Sequence, residues 1–447
     1  MVEREMHRKS CIGNDYFEIK GGILADDVGL GKTIMMLETM KENLKENTLI
    51  IVPKSLQPQW KTESEKYNNI FKVDIFDESY EYNWKHKFRI LIVSQSKFNS
   101  RSMIPEELLA MKWDRIVIDE AHCIKNKRSK IHKTCCLLNT DIRWALTATP
   151  VCNNMFDFVY ILKWVGIEQE YCQNYKDVVS KEFVLRRTKE DVKPLDIKCN
   201  TNIHKLEFDC EHENTLYKDV FDEMKKKMLT MKKRGNKNAF EALELLLRIR
   251  QVCCHPQSLY TSWKMGTWKY GCTKVRTIIK AILQTPKHDK CLIFCHFIAE
   301  MDGYCNELQN KKISYNVLNG TMDIDTRYKN VEEFRKDSKV LVVQIQTGGV
   351  GYNLQVANHV YITSPTWNPS IQHQIIGRAY RNGQQKDVDV NIYTIGSKDG
   401  IYVEEYMLSL QQRKREMIAD LLNDSRLTES EYKNSNISFS DITKVFT

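Results

Sequence analysis

Short apolar runs alternate with stretches of helical spacing along most of the chain. In the first part the runs are Gly22–Ala25, Thr48–Val52, Phe88–Val93, Arg115–Ile118 and Arg143–Leu146, and an amphipathic helix opens at Ile34–Met40. Such βα alternation predicts a parallel sheet, whose ligands sit at the carboxyl ends of the strands. Past residue 190 the pattern changes. Strand signals are few after Leu206-Glu-Phe208, and Glu211–Lys227 and Ala239–Val252 show helical spacing, split by the polar run Lys232–Asn238. The alternation then returns, with strands predicted at Cys291–His296, Ser314–Leu318, Val340–Gln344, His359–Ile362 and Asp389–Thr394, before a closing helix at Ile401–Leu422. The expected organisation is α/β, with an N-terminal lobe at 1–190, a helical region at 191–270 and a C-terminal lobe at 271–447.

The turn after the first apolar run reads Ala25-Asp-Asp-Val-Gly-Leu-Gly-Lys-Thr33. Gly29 and Gly31 let the backbone bend so that successive N–H groups face a phosphate at the helix N-terminus. Lys32 is then placed for β- and γ-phosphates and the Thr33 hydroxyl for Mg²⁺. The first glycine of the strict phosphate-loop pattern is replaced by Asp26, whereas the helicase variant A-x-x-G-x-G-K-T is met in full. A Gly-Lys-Thr that opens a helix also arises by chance, so the loop does not decide alone.

Two further segments do. Arg115-Ile-Val-Ile-Asp-Glu-Ala-His122 is a predicted strand ending in two carboxylates and a histidine. Asp119 suits a Mg²⁺ ligand that acts through water or behind the inner ligands, and Glu120 suits the base that polarises an attacking water. Leu146-Thr-Ala-Thr-Pro150 ends another apolar run, and its hydroxyls, Thr147 first, are candidates to couple the phosphate site to a substrate groove. In the second lobe Gly348-Gly-Val-Gly351 is a turn that admits a phosphate. Further on, Gln374-Ile-Ile-Gly-Arg-Ala-Tyr-Arg381 spaces Arg378 and Arg381 three apart, as on one helix face, with Gln374 a turn earlier. A phosphate cradle in one lobe and arginines in another predict a nucleotide hydrolysed in a cleft that opens and closes.

With these residues in view the chain resembles the Swi/Snf group of superfamily 2 helicase-like ATPases, as a minimal motor core. The matching segments run almost end to end. They include Gly21–Thr33, Ile51-Val-Pro-Lys-Ser-Leu56 with Gln59-Trp60, and Asp119-Glu-Ala-His-Cys-Ile-Lys-Asn126. Next come Leu146–Pro150 with Asn153-Asn154, Leu185-Arg-Arg-Thr-Lys-Glu-Asp-Val192 and Leu247-Arg-Ile-Arg-Gln-Val-Cys-Cys-His-Pro256. Leu292-Ile-Phe294, Gly348–Leu354, Trp367-Asn-Pro369 and the arginine segment complete the set. The resemblance implies two RecA-like lobes with parallel sheets, helical protrusions inserted between them and a C-terminal brace helix. It implies ATP and Mg²⁺ as cofactors, with Asp26, Asp27, Val28, Gly29, Leu30, Gly31, Lys32, Thr33 and Gly351 around the nucleotide. Lys32, Thr33, Asp119, Glu120, Gln374, Arg378 and Arg381 would be catalytic, the two arginines at the γ-phosphate, and Thr33 and Asp119 would serve the metal. Lys54, Ser55, Thr147 and Trp367 would face a nucleic acid, Lys54 and Ser55 by contacting a phosphate without reading sequence and Trp367 near the groove, unless it is simply a packed aromatic.

The departures from the family pattern are specific. Its adenine-reading glutamine has no counterpart among the twenty residues before Gly21. Either the start lies inside a longer product, or the adenine is held by stacking and backbone. Asp27 stands for the usual Glu and Ala148 for the usual Gly. Only 34 residues separate Pro256 from Cys291, with no C-x-x-C, so an inserted RING ubiquitin ligase is not expected.

Composition narrows the partners. A net charge of +9 suits an anion, and the Lys225–Lys227 and Lys232–Arg234 runs add general affinity or form a solvated helix face. Arg128 and Lys130 stand beside them as further basic candidates. Fourteen cysteines without C-x-x-C pairs read as reduced thiols of an intracellular protein, and no apolar run suggests a membrane span. The expectation is a monomeric, DNA-stimulated ATPase translocating on duplex DNA, within a transcription or repair complex and without membrane attachment. Its location would be the nucleus, or the cytoplasmic factory or virion of a large DNA virus. A strand-separating DNA or RNA helicase and a nucleotide-gated DNA scaffold remain the alternatives.

Overall fold

In a computed structural model the apolar runs of the first part become one all-parallel sheet. The strands of the first part, not all of them in that sheet, are β1 (Ser10–Ile12), β2 (Asp15–Phe17), β3 (Lys20–Leu24), β4 (Asn47–Val52), β5 (Lys72–Ile75), β6 (Arg89–Ser94), β7 (Lys112–Asp119), β8 (Asn139–Leu146) and β9 (Val184–Leu185). β1 and β2 form a separate antiparallel hairpin, and the other seven stand in the order β5-β6-β4-β7-β8-β3-β9. The structure describes all residues except 7–9, 78–85, 100–105, 151–154, 189–190, 193–196, 237, 349–351, 382, 397–401, 422–441, 444 and 447. The expected positions Gly351, Asn153, Asn154 and Lys189, and the outer ends of the closing helix, lie outside the described residues.

Helices on the sheet faces bury what the strands leave apolar. Ile51, Ile116 and Ile118 of the central strands pack with Phe158, Ile161 and Leu162 of the helix Met155–Val165 in a core with no solvent access at most positions. Truncating one of these isoleucines to alanine would cost about 2–5 kcal/mol. A charge is also built into this layer. Arg115, in β7, is fully buried and gives Nε and Nη2 to the Glu5 carboxylate at 2.7 and 2.5 Å. Trp144 and Asn43 add donors to the same carboxylate at 2.9 and 2.7 Å. The pair is tolerable inside the protein because both Glu5 oxygens meet two donors each, and it ties the helix Val2–Met6 onto the sheet.

The chain folds into two compact units, Met1–Pro194 with Lys414–Asn434, and Leu195–Arg413 with Ser435–Thr447. The second unit has its own parallel sheet of β10 (Cys199–Leu206), β11 (Cys291–Cys295), β12 (Tyr315–Leu318), β13 (Val340–Gln344), β14 (His359–Ile362) and β15 (Val388–Ile395). The order is β10-β15-β14-β11-β13-β12. β10 precedes the Leu206-Glu-Phe208 signal and ends at its first residue, and the sequence hides it because Cys-Asn-Thr-Asn-Ile-His-Lys-Leu carries no apolar stripe. Its strand form comes from backbone pairing with β15 along all eight positions. The helices Glu211–Lys233 and Ala239–Cys254 pack through Met224, Met228, Ala242 and Leu246. The closing helix runs from Val403 to Leu421. Among the described residues no helix is long and apolar enough to cross a membrane.

Candidate active site

Strand register assembles the first site. Leu24 of β3 pairs with Leu146 of β8 on one side and Leu185 of β9 on the other, and Leu146 pairs in turn with Asp119 of β7. Four segments that are far apart in sequence therefore leave the carboxyl edge of the sheet side by side: the glycine loop, Thr147–Pro150, Glu120–His122 and Arg186–Arg187. This is where a doubly wound sheet holds its ligand. Lys54 and Ser55 follow β4 at the same edge, Lys54 exposed and Ser55 partly so.

The loop itself is shaped for an anion. Gly29 and Gly31 have φ of 91° and 80°, values that side chains resist, and Gly31 is the N-cap of the helix Lys32–Glu42. Among the described residues no side chain caps that helix, and its first turn holds no acid. Its leading amides are thus left to a ligand. Lys32 Nζ donates to the carbonyls of Asp26 and Asp27 at 2.7 and 3.2 Å. Both acceptors are neutral, which leaves the ammonium charge for phosphate. Burial lowers the Lys32 pKa, while Glu120 and Asp119, then Asp26 and Asp27, hold it up. Those four carboxylates locate Lys32 beside the acidic strand end.

Asp119 is a perturbed acid there. Burial first, and Glu120 second, raise it to about 6, against a hydrogen bond from Trp60 and the charge of Lys32. Trp60 Nε1 donates to Oδ2 at 2.7 Å, the Glu120 amide donates to Oδ1 at 2.9 Å, and Gln95 Nε2 holds the Asp119 carbonyl at 2.6 Å. Glu120 has φ 48° and ψ 51°, a left-handed conformation that costs a non-glycine residue roughly 1 kcal/mol or more. His122 Nδ1 lies 3.3 Å from its Oε2. Strain of this kind persists where the surrounding structure enforces it, and it turns the Glu120 side chain out of the strand.

Asp26, where the strict loop pattern has glycine, has a structural role the motif did not reveal. Its carboxylate is fully buried and accepts the Arg187 amide at 2.8 Å, Nε at 3.1 Å and Nη2 at 2.5 Å. The backbone joins in, with Ala25 N on Leu185 O at 2.7 Å and Asp27 N on Arg187 O at 3.0 Å. The Arg-Arg-Thr segment carried this signal in the sequence, but its target did not.

Thr147 corrects an expectation. It has no solvent access, its amide donates to Leu24 O at 3.1 Å and its hydroxyl accepts the Thr149 amide at 3.1 Å. It shapes the turn and does not face a nucleic acid. Among the described residues no cluster of three or more His, Cys, Asp or Glu side chains is placed to hold a metal.

In the second unit the helix Pro369–Ala379 carries Gln374 and Arg378 four residues apart on one face. Arg381 does not share that face, which is a second correction. The helix ends at Ala379 because Tyr380 leaves helical geometry, the Leu354 amide takes Arg378 O at 3.1 Å and Gln384 Nε2 reaches Ala379 O at 3.4 Å. Trp367 is partly buried against the core shared with the helical hairpin, and the Arg250 guanidinium stands 6.0 Å from its ring. Sequence reasoning missed the supports of this segment. Arg250 also reaches His296 Nε2 and Pro365 O, each at 2.6 Å. Lys274, fully buried, joins Thr363 O to Glu404 at 2.6 Å each, and Gln411 Nε2 donates to Thr366 O at 2.6 Å.

Comparison with known proteins agrees in order and extent. The SNF2-related domain family matches residues 1–177, and the helicase conserved C-terminal domain matches residues 273–383, together more than half of the chain. The probable global transactivator of Orgyia pseudotsugata multicapsid polyhedrosis virus is 28% identical, over 92% of this chain and 89% of that one. An uncharacterized ATP-dependent helicase of Mycoplasma pneumoniae is 30% identical over 92% of this chain but only 41% of its own length, so this chain spans under half of it. The Sulfolobus solfataricus SWI2/SNF2 ATPase core in complex with dsDNA covers 95% of this chain and 92% of its own at 26% identity, with a TM-score of 0.41 too low to bear on architecture. Two family models in the expected order, on lobes whose sheets are all parallel, identify the chain as a member of the SNF2-related helicase-like ATPases.

Proposed function

We propose that the protein is a DNA-stimulated ATPase that translocates along duplex DNA without obligatory strand separation. The observation that carries this reading is the row of strand ends Leu185, Leu24, Leu146 and Asp119, which brings the glycine loop, Lys32 and the Asp119-Glu120 pair to one edge. Lys32 and the free amides of its helix bind the terminal phosphates of ATP. Thr33 and Asp119 would hold Mg²⁺, which favours one or two carboxylates plus phosphate oxygens and would neutralise charge as it develops. Glu120, turned outward by its left-handed backbone, accepts the proton of the attacking water. Asp26, Asp27, Val28, Gly29, Leu30 and Gly31 shape the cradle, with Gly351 as a further candidate.

Gln374, Arg378 and Arg381 are proposed to meet the γ-phosphate when the lobes engage, and Lys54, Ser55 and Trp367 to grip the tracked strand. With Arg381 past the helix end, Arg378 is the better candidate for the finger. Phosphate contacts of this kind position a protein without reading bases, so sequence preference should be weak. A viral relative named as a probable global transactivator supports a role on DNA, and the motor is proposed to work inside the cell, as a monomer, on proteins bound to DNA. The division 1–190, 191–270 and 271–447 is proposed as its functional layout.

The test is triplex displacement. A translocase strips a third strand from duplex DNA in an ATP-dependent way and leaves the duplex paired. Separation of the duplex strands, or no displacement alongside measurable ATP turnover, would overturn the proposal.

A further inference from the structure

The hairpin of Glu211–Lys233 and Ala239–Cys254 ends in a tip that the ATPase and its proposed DNA grip leave without a task. Phe240 stands there 78% exposed, more than any buried-core role allows. Lys226, Lys232, Lys233 and Arg234 lie exposed on the helix end and turn that lead to it. Among the described residues, no salt bridge engages these four cations. Side-chain hydrogen bonds join the described residues of the turn to the start of the second helix. Asn238 Oδ1 accepts the Phe240 amide at 3.0 Å, Asn236 Oδ1 accepts the Asn238 amide at 2.9 Å, and both asparagine side chains donate to the Glu241 carboxylate at 2.9 Å. These bonds occupy the Glu241 carboxylate beside the tip and hold the Phe240 backbone in place.

A lone ring among cations is not a protein-docking surface of the usual kind, which needs a contiguous apolar patch. It matches the pairing of phosphate contacts with base stacking by which proteins hold unpaired nucleotides. We propose that this tip is a second nucleic-acid contact, in which Phe240 stacks on an unpaired base and Lys226, Lys232, Lys233 and Arg234 hold the adjoining phosphates. The DNA preferred there would carry a gap, a flap or a single-strand junction. The inference rests on the reading that the chain engages DNA.

The experiment measures affinity of the full chain for a blunt duplex and for the same duplex with a single-stranded flap, with ATP hydrolysis on each. Phe240→Ala should weaken flap binding by about fivefold to a hundredfold, the range of one base stacked on an aromatic ring. It should leave blunt-duplex affinity and duplex-stimulated hydrolysis unchanged, and Phe240→Trp should restore flap binding. Replacing Lys232, Lys233 and Arg234 by Gln should weaken flap binding and flatten its salt dependence by about one unit of slope per phosphate lost. Equal flap affinity for Phe240→Ala and the unaltered chain, with both stimulated by duplex, would overturn the tip proposal alone. No stimulation of the unaltered chain by any DNA would overturn the reading beneath it as well.

Discussion

Arg187 grips Asp26 with three donors, its amide, Nε and Nη2, across 161 residues of sequence. Asp26 is fully buried and the Arg187 side chain is half exposed. Removing either partner therefore has unequal consequences. Arg187→Ala leaves a buried carboxylate with only backbone donors, which should cost about 1.5–3 kcal/mol of stability, the range of hydrogen bonds to a charged group, and weaken nucleotide binding. Asp26→Asn keeps the amide acceptor and should cost less. The double substitution Asp26→Asn with Arg187→Ala should cost less than the sum of the two, as measured by denaturation and by titration with a fluorescent ATP analogue.

Glu120 couples strain to chemistry. Glu120→Gln should lower ATP turnover by about 10²–10⁴-fold with nucleotide affinity retained. Glu120→Gly should be as inactive, yet more stable than Glu120→Gln by roughly 1 kcal/mol, because glycine adopts φ 48° without penalty. Paired thermal denaturation and steady-state kinetics check both halves. A glycine variant less stable than the glutamine one would show that the backbone there is not strained.

Trp60 holds Asp119 in its charged form. Trp60→Phe keeps the ring and removes the donor at 2.7 Å, so the Asp119 pKa should rise above its value of about 6. The acid limb of the kcat/KM profile for ATP should then move to higher pH. An unmoved limb would detach Asp119 from that titration.

Two histidines of the second unit set its acid tolerance. Burial, with Arg250 next to it, holds His296 well below its usual range, and burial brings His255 to about 4. Both folded values lie below the unfolded one near 6.5. The unfolded chain therefore takes up protons first as pH falls, and the stability present above pH 6.5 is lost below it. Each histidine should remove about 1 kcal/mol between pH 6.5 and 5.5. Urea denaturation at these two values, at constant ionic strength, reads the loss.

The strands that carry the site were legible because each is a short apolar run, and the motifs sit where such runs end. Lys32, Asp119 and Glu120 can be placed on that basis from the sequence alone. What stayed hidden depends on pairing between distant segments. Asp26 looks like a departure from a glycine pattern until Arg187 is brought beside it, and parallel register leaves no local trace of that meeting. β10 has no apolar stripe because its support is backbone bonding to β15, 189 residues away at Asn200 and Asp389. The end of the helix at Ala379 is hidden for a related reason. It depends on Leu354 and Gln384 taking the last carbonyls, while the local residues Arg378 to Arg381 give no stop signal. Thr147 misleads because a hydroxyl in a motif reads the same whether it faces solvent or its own turn.

The central claim is a motor driven by duplex DNA, and steady-state ATP hydrolysis tests it most directly. The full chain would be assayed at low salt with no nucleic acid, with duplex DNA, with single-stranded DNA and with structured RNA. Stimulation by duplex above the other three is the predicted result. Preference for single strands or RNA, or hydrolysis indifferent to every nucleic acid, would contradict it.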